Sequence, residues 1–221
     1  SVMGRIARVV MPGWPHHVTQ RGNHRQSVFY RDKDRRIYLD ILAKYQRIHH
    51  FSLLGFSLMT NHVHKAVIPE FEDSLAKGVG RTHNDFSRWQ NVQCNRTGHL
   101  WQARFFSCPV EFASLAEVLA YIELNPVRAG IVKHPEDYEW SSARARLTGI
   151  DRTGLLDMTW WRENFTPQSW ADFLQKKLED DKLLHKIRTA TQTGKPIASE
   201  SGIREIERCL NRPLLPRKRQ R

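Results

Sequence analysis

Residues 51–69 read FSLLGFSLMTNHVHKAVIP, and this stretch decides the fold. Two runs rich in strand-forming residues, 51–60 and 62–69, are separated only by a tight connection near Thr60-Asn61. This pattern predicts an antiparallel β-hairpin. In the second run the side chains alternate, so His62 and His64 leave one face of the strand while Val63 anchors the other face in the core.

The segments on either side of the hairpin supply the rest of one sheet. PHHVTQRG at 15–22 alternates like a strand and ends in a turn signal, and 32–50 carries apolar residues at helical spacing. After the hairpin, 72–93 has a helical pattern, and a further strand is expected around 104–110. The order β-α-β-β-α-β predicts an α+β protein with a ferredoxin-like sheet, one face covered by helices and the other open.

An additional helix is predicted over 111–124, ending near Asn125-Pro126 because proline cannot continue the helical hydrogen bonds. Indexing at 100° per residue puts Tyr121 off the buried stripe. Glu117 and Asn125 lie one turn before and after it, so a phenol and two oxygen-bearing side chains share a ridge. The stripe itself consists of Phe112, Leu115, Val118, Leu119 and Ile122.

The rest of the chain predicts three regions. We expect a main domain at 1–149, a helical C-terminal appendage at 150–211 and a basic, disordered tail at 212–221. Short helical segments are expected at 140–148 and 169–189, with a polar connection at 193–202.

The composition favours a soluble protein that binds a polyanion. Among 221 residues, 35 are Lys or Arg against 23 Asp or Glu, a net charge of +12, while 40% hydrophobic content is enough for a core. Three cysteines are an odd number in a chain of this length, which favours reduced thiols and a cytoplasmic location. No apolar run is long enough to predict a membrane span. A solvated basic surface is the alternative to a nucleic-acid partner.

Two histidines on one strand face can bind a single metal ion. The side-chain oxygens of Glu117 and Asn125 suit Mg²⁺ or Mn²⁺, and the imidazoles favour Mn²⁺. Each group also has an ordinary structural interpretation: His62 and His64 as polar residues on an exposed face, Tyr121 as a rim residue, and Asn125 as a helix stop.

Basic and aromatic groups suited to phosphates and unstacked bases occur in several places. The basic residues of the second helix could equally well form a solvated helix face, and Trp101 could equally well be an aromatic residue of the core. The candidates are Arg21, Asn23 and Arg25; Arg81, Asn84 and Arg88; Trp101, Gln102 and Arg104; and Arg217, Lys218 and Arg219 in the tail.

At this level of detail the sequence resembles the REP-associated tyrosine transposases of bacteria, a branch of the HUH single-tyrosine transposases. The resemblance covers residues 5 to about 148. It rests on motifs in the right order: HHVTQRGNHRQSVF at 16–29, FSLMTNHVHKAV at 56–67, TGHLWQARFFSCPV at 97–110, YIELNPVRAGIV at 121–132 and YEWSSARA at 138–145.

The resemblance implies that 1–149 is the transposase and nuclease domain, with Tyr121 as the nucleophile and His62 and His64 as metal ligands. Asn125 stands where relatives often carry a glutamine as third ligand, and Glu117 is the other candidate for that position. The implied activity is metal-dependent cleavage and rejoining of single-stranded, hairpin-containing repetitive DNA through a 5′-phosphotyrosine, with Mg²⁺ or Mn²⁺ and no nucleotide cofactor. The resemblance also implies a bacterial protein of the cytoplasm that associates with the nucleoid. It leaves the choice between monomer and homodimer open.

Three other interpretations are possible. A non-catalytic nucleic-acid-binding module shares the ferredoxin-like plan but leaves Tyr121 without a role. A two-histidine phosphoesterase is suggested by His17-Val18-Thr19, yet that class needs a second HxT. A zinc site formed by Cys94, His99 and Cys108 has suitable ligand types at spacings that match no standard pattern.

Overall fold

The hairpin at 51–69 forms half of a four-stranded sheet. In a computed structural model, which describes residues 8–214, the strands follow the order β2-β3-β1-β4 and every neighbouring pair is antiparallel. The α+β class and the ferredoxin-like order are therefore confirmed. The strands are β1 His16–Arg21, β2 Phe51–Met59, β3 His62–Pro69 and β4 Phe106–Pro109.

One face of the sheet packs against two helices, α1 (Asp32–Ile48) and α2 (Gly80–Gln93). Val63 and Val67 of β3 are fully buried in this layer, as the alternation of the strand predicted, and Val18 of β1 joins them. This face carries no part of the histidine pair. Its role is to hold β3 rigidly from behind.

The opposite face is also covered, so the expectation of an open face is wrong. Helix α3 (Leu115–Arg128) crosses β2 and β3, and α7 (Asp181–Thr193) lies against β1 and β4. Apolar residues of α3, α6 (Pro167–Lys177) and α7 share one hydrophobic cluster with this face of the sheet. Sequence pattern alone could not show this, because α6 and α7 come from the predicted appendage, and the pattern of α3 does not say which face of the sheet it covers.

The remaining helices are short and connect or flank these layers. The segment expected to be one helix over 169–189 is two helices, α6 and α7, because Asp180 caps the second by accepting a bond from the Leu183 amide. The segment expected at 140–148 becomes helical only from Ala143. The other elements are α4 Ala143–Thr148, α5 Thr159–Asn164 and α8 Glu200–Leu210. The division of the chain into a main domain at 1–149 and an appendage at 150–211 stays a prediction.

Helix α3 does not end at Pro126, contrary to the prediction. Pro126 lies inside it, and the helix continues to Arg128. Proline leaves the Ile122 carbonyl without its usual donor, and the Asn125 side-chain amide lies 3.4 Å from that oxygen as a substitute. The predicted buried residue Phe112 lies in a separate 3₁₀ turn and is 41% exposed, since α3 begins only at Leu115.

A buried polar hub ties α3 to the C-terminal helices. The Glu123 carboxylate is fully buried and accepts bonds from Ser142 Oγ at 2.6 Å and Trp170 Nε1 at 2.9 Å. Arg146, itself buried, forms an ion pair with the same carboxylate. Three donors from two segments, the start of α4 and helix α6, thus converge on one residue of α3 and fix its position over the sheet.

A second buried polar group lies behind the sheet. Lys65 follows His64 in β3 but points into the core between α1 and α2, where its Nζ donates to the Tyr38 hydroxyl at 2.5 Å. His83 Nε2 lies 3.1 Å from Nζ and 3.0 Å from the Tyr38 oxygen. Burial lowers the pKa of Lys65 to about 7.

Candidate active site

His62 and His64 project from β3 into the space between the sheet and α3, and their ring centres are 5.0 Å apart with nearly perpendicular planes. Their placement on one strand face is as predicted. They are not on an exposed surface, however, because His64 is only 6% exposed beneath α3 and α7. Burial keeps both rings uncharged, lowering the pKa of His62 to about 4 and that of His64 well below its usual value.

The neighbouring Asn61 fixes the tautomer of His62. Asn61 Nδ2 donates to the Arg25 carbonyl at 3.1 Å, so Oδ1 is the atom that faces His62 Nδ1 at 2.6 Å. A carbonyl oxygen only accepts, and His62 must therefore carry its proton on Nδ1. Its Nε2 lone pair is left free to bind a metal.

His17, on the adjacent strand β1, is the closest polar neighbour of His64. Its Nε2 lies 3.0 Å from His64 Nδ1, and its Nδ1 lies 2.7 Å from Thr191 Oγ1 on α7. His17 is fully buried, and desolvation lowers its pKa to about 3. The sequence analysis considered His17 only as part of an HxT motif. The structure makes it a partner of His64.

Tyr121 lies on α3 with its ring edge-on to both His17 and His64, at 5.5 Å between ring centres in each case. The prediction that it lies off the buried stripe is wrong, since it is 3% exposed. Indexing a single helix cannot detect burial by a second layer, and helices from beyond residue 150 cover this side of α3. The tyrosine and the histidine pair nevertheless share one cavity.

Asn125 follows Tyr121 by one turn and lines the same cavity. Its Nδ2 donates to the Tyr121 carbonyl at 2.9 Å, which leaves Oδ1 as the free atom of the amide. Glu117, the other candidate ligand, forms an ion pair with Lys177 at 3.1 Å and is not among the residues lining the cavity. Of the predicted ridge, only Tyr121 and Asn125 reach the site.

The cavity has a volume of about 590 Å³ and lies between β1, β3, α3 and α7. Predicted residues Arg21 and Gln102 line it. Besides His17, sequence reasoning missed the other residues that complete the lining, which are Thr19, Met59, Phe106, Arg128, Ala129, Arg188, Thr191 and Gln192.

Two of the missed residues are cations. Arg128 follows Tyr121 by seven residues, close to two helical turns, so helical periodicity could have found it. Its guanidinium is held by the Lys177 carbonyl at 2.6 Å and the Leu178 carbonyl at 3.3 Å, while Nη1 has no hydrogen-bond partner among residues 8–214. Arg188, on α7, had no sequence signal. Together with Arg21 it further lowers the pKa of His62 through its positive charge.

The donor atoms fit a divalent metal of the Mg²⁺ or Mn²⁺ type. Two neutral imidazoles and an amide oxygen are acceptable ligands for Mn²⁺, with room for water or substrate oxygens. Within the described part of the chain, no group of three or more His, Cys, Asp or Glu side chains could share a metal. The three residues of the zinc hypothesis are therefore not brought together. Cys108 is buried against Thr191, while Cys94 and His99 line a different pocket.

The other predicted DNA contacts are distributed more widely. Arg81, Asn84 and Arg88 are exposed on α2, on the layer behind the sheet, and Arg88 pairs with Asp85. Trp101 is buried and donates from Nε1 to the His83 carbonyl at 3.0 Å, so the structure places it in the core.

Three further candidates lie in loops. Arg25 is exposed in the turn after β1, and Arg104 is exposed before β4. Asn23 lines the separate pocket that contains His99. The tail residues Arg217, Lys218 and Arg219 fall outside the described residues.

An antiparallel sheet with two histidines on one strand and a tyrosine on the helix packed over them is the arrangement expected of single-tyrosine transposases. Comparison with known proteins agrees, since residues 13–125 match the family model described as "Transposase IS200 like". This chain belongs to that family.

Two relatives extend the comparison. A protein of Haemophilus influenzae named as a REP-associated tyrosine transposase is 27% identical over 103 residues, which is 42% of this chain and 58% of that protein. The match thus spans little more than half of the curated relative. A solved structure of a REP-associated tyrosine transposase bound to a REP hairpin has a TM-score of 0.54 at 19% identity, covering 68% of this chain and 90% of that one. At that identity the likeness supports the fold.

None of the helices within residues 8–214 has the length and apolar character needed to cross a membrane.

Proposed function

We propose that this protein cuts and rejoins single-stranded, hairpin-containing repetitive DNA, using Tyr121 as the nucleophile with a divalent metal. The observation that carries the proposal is the position of Tyr121, whose ring lies edge-on to His17 and His64 inside a cavity bordered by arginines. A non-catalytic binding module would give this tyrosine only a packing role, and it would not account for its position beside the histidine pair.

The chain's own groups would hold and polarise a phosphodiester. His62 through Nε2, His64, and Asn125 through Oδ1 would bind Mg²⁺ or Mn²⁺. When bound, the metal supplies positive charge to the non-bridging phosphate oxygens. Both imidazoles are already neutral, so no proton has to be removed before they act as ligands.

The cleavage step exchanges one ester for another. A bond forms between Tyr121 Oη and phosphorus while the bond from phosphorus to the 3′-oxygen breaks. The phenolic proton is released to solvent and the departing 3′-oxygen gains a proton, which gives a 5′-phosphotyrosine and a free 3′-hydroxyl. Because the number of ester bonds is unchanged, rejoining to another 3′-hydroxyl requires no nucleotide cofactor.

Arg128 is suited to stabilise the charge that develops in this step. Its guanidinium is anchored to two backbone carbonyls at the C-terminal end of α6, and it interacts electrostatically with Tyr121. Arg128 lines the cavity, where a guanidinium can donate to a phosphate oxygen or to the phenolate. Arg21 and Arg188 add positive charge to the same cavity and would attract the DNA backbone.

The remaining DNA contacts are proposed from the sequence. Asn23, Arg25, Gln102 and Arg104 lie in loops around the first and last strands and would meet the hairpin or its flanking strand. Arg81 and Arg88 would contact DNA only if it passes behind the sheet. We further propose that the protein acts in the bacterial nucleoid, as a monomer or a homodimer.

The decisive test is a cleavage assay with strands labelled at either end. The substrates are single-stranded oligonucleotides that carry the short inverted repeats flanking the gene, incubated with Mn²⁺. Wild-type protein should form a covalent adduct that retains the 3′ label and release a 5′-labelled product ending in a hydroxyl. Tyr121→Phe should abolish the adduct but bind the hairpin within a few-fold of wild type. Tyr30→Phe, at a half-exposed tyrosine outside the cavity, is the matched control.

Two outcomes would contradict the proposal. An adduct formed by Tyr121→Phe would mean that another residue is the nucleophile. Hairpin binding without any adduct in the wild type would favour the non-catalytic module. His62→Ala and His64→Ala should each lose Mn²⁺ binding, whereas His50→Ala, in the exposed turn after α1, should not.

A further inference from the structure

Thr191 and His17 form a buried chain of hydrogen bonds that ends on His64. Thr191 Oγ1 is 2.8 Å from the Ile187 carbonyl one turn earlier in α7, and 2.7 Å from His17 Nδ1. His17 Nε2 is in turn 3.0 Å from His64 Nδ1, and the two ring planes are nearly parallel, at 8°. All three side chains are almost completely buried, so water does not compete for these bonds.

The protons in this chain can be arranged in two opposite ways. Either every ring and hydroxyl donates towards α7, or every one donates towards the cavity. In the first arrangement His64 carries its proton on Nδ1 and presents an Nε2 lone pair to the cavity. In the second, His64 presents an N–H there, which cannot bind a metal.

The Ile187 carbonyl selects the first arrangement. A carbonyl oxygen only accepts, so the single hydroxyl proton of Thr191 points at it, and Oγ1 must accept from His17 Nδ1. A neutral imidazole has one proton, which leaves His17 Nε2 as the acceptor for His64 Nδ1–H. Cys108 Sγ, 3.6 Å from Oγ1, can donate to the second lone pair of that oxygen without changing this order.

We propose that Thr191 and His17 are positioning residues that fix His64 in the tautomer with its Nε2 lone pair facing the cavity. This inference rests on the proposed metal-dependent function and deepens it. Thr191 lies beyond residues 13–125, so helix α7 would supply an essential part of the metal site from outside the family core. Partners that orient a metal-binding histidine commonly change metal affinity by 10- to 100-fold.

The chain offers a matched set of variants. Thr191→Val keeps the shape of the side chain but removes the hydroxyl, and Thr191→Ser restores it. Thr193→Val is the control, because Thr193 makes the same kind of bond, to the Thr189 carbonyl at 2.7 Å, on the exposed side of α7.

Two measurements on the full chain test the proposal. In metal-free protein labelled with ¹⁵N-histidine, long-range ¹H–¹⁵N NMR should show His64 protonated on Nδ1 in the wild type and in Thr191→Ser. Titration with Mn²⁺, followed by the electron paramagnetic resonance of the free ion, should show about 10-fold weaker binding for Thr191→Val. Thr191→Ser and Thr193→Val should bind as the wild type does.

An Nε2-protonated His64 in the metal-free wild type would overturn the proposal. This measurement uses the wild type alone, so it does not depend on whether any variant folds. Equal Mn²⁺ affinity for Thr191→Val and Thr193→Val would also overturn it. If Tyr121 forms no adduct, the proposed function fails, whereas the His64 tautomer still reports on the hydrogen-bond chain.

Discussion

Replacing Lys65 with methionine should change how the stability of the protein depends on pH. Lys65 has a pKa of about 7 in the folded protein, against 10.5 for the group in its ordinary state. Between these values the unfolded chain binds a proton that the folded chain does not, so the free energy of unfolding rises as pH increases. Below about pH 7 Lys65 is protonated in both states, so its burial lowers the free energy of unfolding by the full amount and this contribution no longer changes with pH.

The magnitude follows from the two pKa values. One pH unit corresponds to about 1.4 kcal/mol, so the full cost below pH 7 is about 5 kcal/mol. Methionine has similar length and no charge, and the Tyr38 hydroxyl can still donate to His83 Nε2 at 3.0 Å. No buried polar group is orphaned by the change.

Urea unfolding of the wild type and Lys65→Met at several pH values provides the assay. The stability advantage of Lys65→Met should reach its maximum below pH 7 and should shrink by about 1.4 kcal/mol per unit between pH 7.5 and 9.5. Other titrating groups, including Cys108 with its pKa raised to about 12 by burial, cancel in the difference. Lys44→Met, at an exposed lysine of α1, is the matched control. A pH-independent gap for Lys65→Met would refute the reasoning.

Two more predictions concern packing and the tail. Gly55→Ala should destabilise the protein by about 1–3 kcal/mol in urea unfolding, because the new Cβ would lie 2.7 Å from Leu119 Cδ2 of α3; Gly80→Ala, with no atom within 4 Å, should not destabilise it. Deleting residues 212–221, which contain five Arg or Lys and no acid, should weaken DNA binding and leave the four-stranded sheet intact, although it removes the packing of Leu214 against the cluster around Ile206. The slope of log affinity against log salt should shrink by roughly 2 if about three charges contact phosphate, and an unchanged slope would argue against that contact.

Local pattern was enough to predict the sheet. Alternation in 51–69 correctly put Val63 in the core and His62 beside His64 on the other face, because the strand period follows from backbone geometry alone. The same alternation also puts Lys65 on the face of Val63, but it does not show which polar groups would make a lysine acceptable there. Its burial depends on Tyr38 and His83, which come from two helices distant in sequence.

The candidate site was only partly predictable for the same reason. Tyr121 and Asn125 lie one turn apart on one helix, so their association could be inferred. His17 and Thr191 reach His64 through contacts between residues 174 and 47 positions apart in the chain. Those contacts exist only once α7 has packed onto the sheet, and neither residue type nor spacing marks them.

The convergence of Ser142, Arg146 and Trp170 on Glu123 affects how this protein can be divided. A fragment that stops at residue 149 would keep the arginine and the serine but lose the indole donor, and water would reach a carboxylate at the centre of α3. The helix that carries Tyr121 would also lose the apolar cover of α6 and α7. The stretch matched by the family model, residues 13–125, lacks all three partners, so we expect that grafting it into another protein would require transplanting the C-terminal helices as well.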